Sequence, residues 1–162
     1  FDGRAYLPLS RRNELALRLF LGAADGNRPH IYAIGGLDTI RGLPTQGIAG
    51  NRVGLANIEW RFPLIDRLDF SFLSLGGGIR GRLFLDVGAA WYDVGGQKYN
   101  SLGEPGFTFY EDGRLVDGIS SYGFGLTIYV LGIPMHWDWV QLWDFDERID
   151  DRQVEFWMGF QF

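Results

Sequence analysis

Over most of the chain, apolar and polar side chains alternate with a period of two, the spacing that sends successive residues to opposite faces of a β-strand. Leu15, Leu17, Leu19 and Leu21 alternate with Glu14, Ala16, Arg18, Phe20 and Gly22. Over 79–92, Leu83, Leu85, Val87, Ala89 and Trp91 alternate with Arg80, Arg82, Phe84, Asp86, Gly88 and Ala90. Tyr122, Phe124, Leu126, Ile128 and Val130 face away from Ser121, Gly123, Gly125, Thr127 and Tyr129. At the C-terminal end, Val154, Phe156, Met158, Phe160 and Phe162 oppose Gln153, Glu155, Trp157, Gly159 and Gln161. Weaker versions occupy 3–9, 52–62 (Ile58, Trp60 and Phe62 against Asn57, Glu59 and Arg61) and 134–143 (Met135, Trp137 and Trp139 against His136, Asp138 and Val140). The pattern predicts about seven strands of about ten residues, the length a tilted strand needs to cross a bilayer.

The charge-free stretch from Gly118 to Trp137 is long enough to be a transmembrane helix, yet it carries Gly118, Gly123, Gly125, Gly132 and Pro134 and keeps the strand period. Connections at 10–13 and 131–133 are short, 63–78 is medium, 24–51 and 93–117 are long, and 144–151 is a shorter partner of the long ones. Short and long connections alternate along the chain, as in an up-and-down barrel with tight turns on one rim and loops on the other. The predicted fold class is therefore all-β, an antiparallel up-and-down β-barrel.

Alternation does not say which face is outside. A soluble lipocalin-like barrel has an apolar lumen, and a membrane barrel inverts this. Arg4, Arg18, Glu59, Arg61, Arg80, Arg82, Asp86, Asp138 and Glu155 all fall on polar faces, while Trp60, Phe62, Trp91, Tyr122, Trp137, Trp139, Phe160 and Phe162 fall where interfacial girdles belong. That placement favours a transmembrane barrel, with a soluble barrel for an apolar ligand as the alternative. Seven strands is an odd number and bacterial barrels close with even ones. The expectation is an incomplete barrel, completed by strands from an upstream segment, a partner chain or a second copy.

Composition agrees with many turns: 24 of 162 residues are glycine, about twice ordinary usage, and 16% are aromatic. Glycine at about 1 kcal/mol per interior position disfavours a helical bundle. There is no cysteine, hence no disulfide, thiol nucleophile or zinc-thiolate site. A net charge of −5 argues against a nucleic-acid partner. Phe1-Asp2-Gly3-Arg4-Ala5-Tyr6 has neither an initiator Met nor a signal-peptide pattern and reads as a mature or internal piece of a longer chain. His30 and His136 stand in no metal-ligand spacing. The acidic run 144–151 lacks the glycine and ligand period of an EF-hand, so it reads as a solvated loop rather than a calcium site. Gly76-Gly77-Gly78 is followed by no Lys-Ser/Thr, and no serine has a His/Asp partner in view. No enzyme, metal or cofactor is expected.

Three segments carry a family resemblance. Gly35-Gly36-Leu37-Asp38-Thr39-Ile40-Arg41-Gly42-Leu43, in the long loop before the strand at 52–62, resembles the Gly-Gly…[Val/Ile]-Arg-Gly-[Phe/Tyr] motif in the in-folded extracellular loop of the BamA/TpsB superfamily of outer-membrane barrels, with Leu43 where the family has an aromatic. Phe84-Leu85-Asp86-Val87-Gly88 resembles the Phe-x-Asp-x-Gly motif of a following strand, and Tyr122-Gly123-Phe124-Gly125-Leu126 the Gly-x-Gly motif one strand later. Asn57-x-Glu59-x-Arg61-Phe62-Pro63-Leu64 is similar to the strand after the loop.

The resemblance implies that residues 1–162 are the C-terminal part of a surface-antigen-type barrel, without the periplasmic POTRA repeats, in the bacterial outer membrane. It implies a loop lock between Arg41 and Asp86 inside the barrel, with Gly88, Gly123 and Gly125 leaving room beneath the loop and Gly35, Gly36 and Gly42 shaping it. Phe160 and Phe162 would form a C-terminal assembly signal. Counted back from a periplasmic C-terminus, 24–51, 93–117 and 144–151 lie outside the cell. The implied work is protein insertion or translocation, with lipid and client or secreted polypeptides as partners; the alternative is a passive pore or an anchor for other domains or chains.

Overall fold

Seven long strands follow one another in the chain and in space. The computed structural model describes residues 1–65, 68–70, 73–75, 78–130 and 132–159, and the side chains of 68–70 and 73–75 are not among those described. The strands are β1 (Asp2–Pro8), β2 (Glu14–Ala23), β3 (Arg52–Ile65), β4 (Ile79–Val94), β5 (Ile119–Val130), β6 (Ile133–Trp143) and β7 (Arg148–Met158). Each pairs antiparallel with its sequence neighbours, in the order β1 to β7. This is an all-β up-and-down meander. Among the described residues β1 and β7 do not pair with each other, so the sheet is open and no closed barrel is formed.

The strands outrun several sequence-based bounds because pairing continues past the alternating segments. β3 reaches Ile65 through an irregularity at Pro63, and β4 reaches Val94, where the short strand Gln97–Tyr99 turns back on it. The long connection 95–118 holds a second small hairpin, Tyr110–Glu111 with Arg114–Leu115. At the other end, the expected loop 144–151 is corrected to a four-residue turn, 144–147, because β7 starts at Arg148. Asp150 and Asp151 then sit in a bulge, where Val140 pairs with Gln153 and Leu142 with Ile149. Asp150 takes a positive φ of 60° there, and the Gln141 side-chain amide donates to the carbonyls of Ile149 and Asp150, which the bulge removes from the ladder. Phe160 and Phe162, together with Gly76, Gly77 and Leu131, lie outside the described residues.

The register sorts the side chains onto two unlike faces. Arg4 pairs with Arg18, Arg18 with Asn57, Arg61 with Arg82 and Asp138 with Glu155, so one face gathers the charges from edge to edge. The opposite face carries Leu19, Ile58, Leu83, Leu126, Trp137 and Phe156. Burial is inverted relative to polarity: Glu59, Arg82, Asp86 and Asp138 are 0–4% exposed, whereas Leu19, Ile58, Leu83 and Phe156 are 43–50% exposed. The charged face is covered because the loop 24–51 folds over it. Ile34 and Ile40 from that loop pack with Val53, Leu55, Ala90 and Leu142 in the apolar core, which fills the half of this face nearest the long loops.

The β6–β7 turn is held by one buried side chain. Asp144 Oδ1 accepts the backbone N–H groups of Asp146 (3.0 Å) and Glu147 (2.7 Å), and its Oδ2 accepts from Arg114 (2.6 Å). The Glu147 N–H, more than the nearby arginine, holds the Asp144 carboxyl below the ordinary aspartate range. A depressed folded pKa contributes stability that is complete above the unfolded value and is lost as pH falls through the folded one. Amide protection at Asp146 and Glu147 should therefore drop on acidification below about pH 4, and Asp144→Asn should remove most of that pH dependence in hydrogen-exchange measurements.

Candidate functional site

The site is built by the loop 24–51 and the sheet face under it. Asn51 ties the loop's exit to both sides: its side-chain amide donates to the carbonyls of Ala24 and Asp93, and its Oδ1 accepts the Asp93 N–H at 2.7 Å. The hairpin Tyr32–Ile34 with Ile48–Gly50 carries the loop over the sheet. At its tip the chain coils tightly. Gly35 and Gly36 adopt φ of 130° and 95°, conformations in which a Cβ would be strained, and the Gly35 N–H donates to Thr39 Oγ1 at 2.6 Å. The Gly36 and Leu43 N–H groups both reach the Ile40 carbonyl, so this coil presents Ile40 and Arg41 together.

Ile40 enters the apolar core, and Arg41 beside it meets the charged half of the face. Its guanidinium forms a bidentate pair with Asp86, Nε to Oδ2 and Nη2 to Oδ1 at 2.8 Å each, and Nη1 donates to Glu59 Oε2 at 2.7 Å. The Arg41 backbone N–H also donates to Asp86 Oδ2. Below, the Phe84 ring faces the guanidinium carbon at 3.7 Å, a cation–π contact. The arginine, 4% exposed, has every charge-bearing edge satisfied. Burial alone would lower its pKa, but Asp86 and then Glu59 outweigh it, so the pKa is raised and the cation persists.

The carboxylates are themselves held. Asp86 also accepts from Asn57 Nδ2 at 2.8 Å and Ser121 Oγ at 3.2 Å, and the same Asn57 amide reaches back to the Thr39 carbonyl at 2.6 Å. Glu59 accepts from Arg61 Nε at 2.7 Å, and Arg61 continues to Glu14 at 3.1 Å. Charge thus alternates along a line from Asp86 through Arg41, Glu59 and Arg61 to Glu14. The loop touches both ends of the sheet as well: Arg18 donates to the Asp38 carbonyl at 2.6 Å, and the Gly42 N–H donates to Glu155 Oε1 at 3.1 Å. A cavity of about 550 Å³ is lined by Arg4 and Tyr6 of β1, by Asp38 and Arg41 of the loop, and by Trp157 of β7. Strands from opposite ends of the meander share one cavity, so the sheet curls around the loop.

A second ion pair, missed from the sequence, lies beside the first. Arg82 forms a two-pronged pair with Asp138, Nε to Oδ1 at 2.9 Å and Nη2 to Oδ2 at 2.6 Å, and Trp157 Nε1 donates to the same carboxylate at 3.2 Å. His136 stacks on Trp157 with ring centroids 3.6 Å apart and is bonded to Thr127 Oγ1 and the Gly159 carbonyl. His30 is remote from this group, stacked edge-on to Tyr32 in the loop. No cluster of metal-ligating side chains forms among the described residues, the acidic turn included.

The motif glycines divide into two kinds. Gly42 (φ 82°) and Gly88 are at the loop: a Cβ on Gly88 would come within 2.8 Å of the Gly54 carbonyl oxygen of β3 and 3.2 Å of the loop's Ile34, and one on Gly42 within 2.9 Å of Val140. Gly123 and Gly125 leave space for side chains of neighbouring strands instead of for the loop, which corrects the expectation. A Cβ on Gly123 would strike the Trp139 carbonyl of β6 and the Phe84 ring that supports Arg41, and one on Gly125 would strike both Asp138 and Arg82. The two glycines thus hold open the seats of the cation–π contact and of the second ion pair.

Neither a protein-family model nor a curated protein nor a solved structure matches this chain.

Removing one member of a buried pair costs about 3–5 kcal/mol, so Arg41→Ala and Asp86→Ala should each destabilise the chain by that order. Each should also open 24–51 to limited proteolysis. Their effects should be non-additive, the double variant falling short of the sum by about 0.5–3 kcal/mol. Gly125→Ala should cost about 1–3 kcal/mol as overpacking and shift the Trp157 indole N–H resonance, because it displaces the Arg82–Asp138 pair.

Proposed function

We propose that the chain is the C-terminal part of a bacterial outer-membrane β-barrel of the insertase or translocator kind, similar to the BamA/TpsB superfamily. The observation that carries the membrane reading is the inverted burial: the ion pairs lie on the covered face and the large apolar side chains on the bare one. A soluble ligand-binding barrel would place these the other way round. Exposed Leu19, Ile58, Trp60, Leu83 and Phe156 and half-buried Leu126 and Trp137 put apolar side chains on one face of the six adjoining strands β2 to β7, a broader apolar face than a water-soluble monomer ordinarily leaves bare. Aromatic pairs on that face, Trp60 with Phe62 and Trp137 with Phe156, suit a lipid interface.

The insertase or translocator reading rests on the loop. A passive pore is served by a lumen that water and solutes can cross, yet here a loop is fastened across the inner face by two carboxylates. Such a fastening suits a barrel whose work is done at its strand edges and whose interior is kept ordered by the loop. In this reading the loop 24–51 is extracellular, the turn 9–13 is periplasmic, and the unpaired strands β1 and β7 are completed by further strands.

Two measurements test this. The protein should float with lipid vesicles, resist extraction by carbonate, and require detergent for monodispersity; a monomeric water-soluble fold would overturn the membrane reading. Depletion in the producing bacterium should lower the amount of a folded outer-membrane or secreted protein several-fold, and Arg41→Ala should fail to restore it. Unchanged levels on depletion would overturn the insertase or translocator reading and leave an anchor or pore.

A further inference from the structure

On the rim that carries the short connections, a pocket of about 490 Å³ opens between the turn 9–13 and the adjoining ends of β3 and β4. Among the described residues four arginines line it, Arg11, Arg12, Arg61 and Arg80, against one carboxylate, Glu14, which is already bonded to Arg61 at 3.1 Å. Arg11 and Arg80 form no ion pair among the described residues. This differs from the rest of the covered face, where arginines are matched to carboxylates. The turn that carries Arg11 and Arg12 is preset: Ser10 Oγ accepts the N–H groups of Arg12 (3.3 Å) and Asn13 (3.2 Å), and the Leu9 N–H donates to the Asn13 carbonyl at 2.9 Å.

The other walls of the pocket are apolar. Phe62 and Ile65 line it and also border the bare face of the sheet, and Leu9 and Leu64 beside them are 60% and 49% exposed. Guanidinium forks are matched in geometry to phosphate oxygens. A free phosphate would use the arginines but not the apolar wall; a phosphate esterified to acyl chains would use both.

We propose that this pocket binds the phosphodiester headgroup of an anionic lipid, with the phosphate between Arg11 and Arg80 and the acyl chains descending over Leu9, Leu64 and Ile65. The site rests on the membrane reading, which places this rim at a leaflet's headgroup level. It adds to that reading a preference for lipid charge that a purely apolar belt would not have.

The test uses the purified protein in an uncharged detergent, titrated calorimetrically with short-chain phosphatidylglycerol, short-chain phosphatidylcholine, inorganic phosphate and an acidic peptide. Phosphatidylglycerol should bind about tenfold or more tightly than the other three, and the preference should weaken as salt is raised. Arg11→Gln/Arg80→Gln should lose it, and Arg11→Gln alone, in an exposed turn that does not touch the loop network, should lose part of it. Equal binding of the two lipids, or a preference that survives the double substitution, overturns the site. Phosphate binding as tightly as phosphatidylglycerol reduces it to an anion site, and tighter binding of the peptide makes it a polypeptide dock; either overturns the lipid assignment. Vesicle flotation is read separately, so a chain that stays in water while still selecting the short-chain anionic lipid would sink the membrane reading and leave the pocket standing.

Discussion

The structure turns on one buried cation. Arg41 is carried into the covered face on a loop with little regular structure, and the half of that face it meets holds carboxylates and arginines around the Phe84 ring. Taking a guanidinium out of water costs several kcal/mol and is recovered only when geometry and hydrogen bonding are complete. Completion here takes two carboxylates, an aromatic ring and a backbone N–H, contributed by β3, β4 and the loop itself. The pair is a positional constraint more than a source of net stability. With the cation out of place, Asp86 would be a buried charge without a counterion, Glu59 would keep only Arg61, and the loop would be held by Ile34, Ile40 and its few bonds from Arg18, Asn57 and Glu155.

Other features follow from that requirement. Phe84 lies flat beneath the guanidinium because Gly123 gives its ring space, and Asp86 stays fixed because Asn57 and Ser121 approach it from the strands on either side. Asn57 is the hinge of the arrangement, since one amide holds both the carboxylate and the loop carbonyl of Thr39. Gly125 plays for Arg82 and Asp138 the part that Gly123 plays for Phe84. Two neighbouring positions on one strand thus support two neighbouring ion pairs, and the backbone is bare where the charges cross it.

The seven strands were legible because each keeps its period long enough to declare two faces, as at Leu15–Leu21 and Leu83–Trp91. The extent of β7 was not, because the bulge at Asp150 breaks the alternation and its acidic residues imitate a loop. Arg41 and Asp86 were singled out by motif resemblance alone; no local pattern places a loop arginine over a strand residue 45 positions on. Gly125 opposite Asp138 was nearly within reach of the sequence, since the connection between β5 and β6 is short, but the expected bounds 131–133 shift the pairing by one residue from the observed Val130 with Ile133. Arg82 was not, because its place opposite Gly125 depends on the path of the long connection 95–118. Glu59 was visible as a charge on the polar face, but nothing in the sequence distinguished it as a second partner for Arg41. The rim arginines were equally visible as charges, and only the folded arrangement shows that Arg11 and Arg80 form no ion pair among the described residues.

Seven antiparallel strands have a consequence for direction. Since each strand reverses its predecessor, the first and the last run the same way, so β1 and β7 present edges of like polarity to the gap between them. If those edges joined directly, they would form the parallel kind of ladder, with slanted bonds and slightly less stability per residue than any other seam in the sheet. One inserted strand, or any odd number, restores antiparallel pairing at both edges at once. The gap is therefore selective by parity: a single extended segment running against both edges satisfies it, and a hairpin, which brings two strands, leaves one parallel seam.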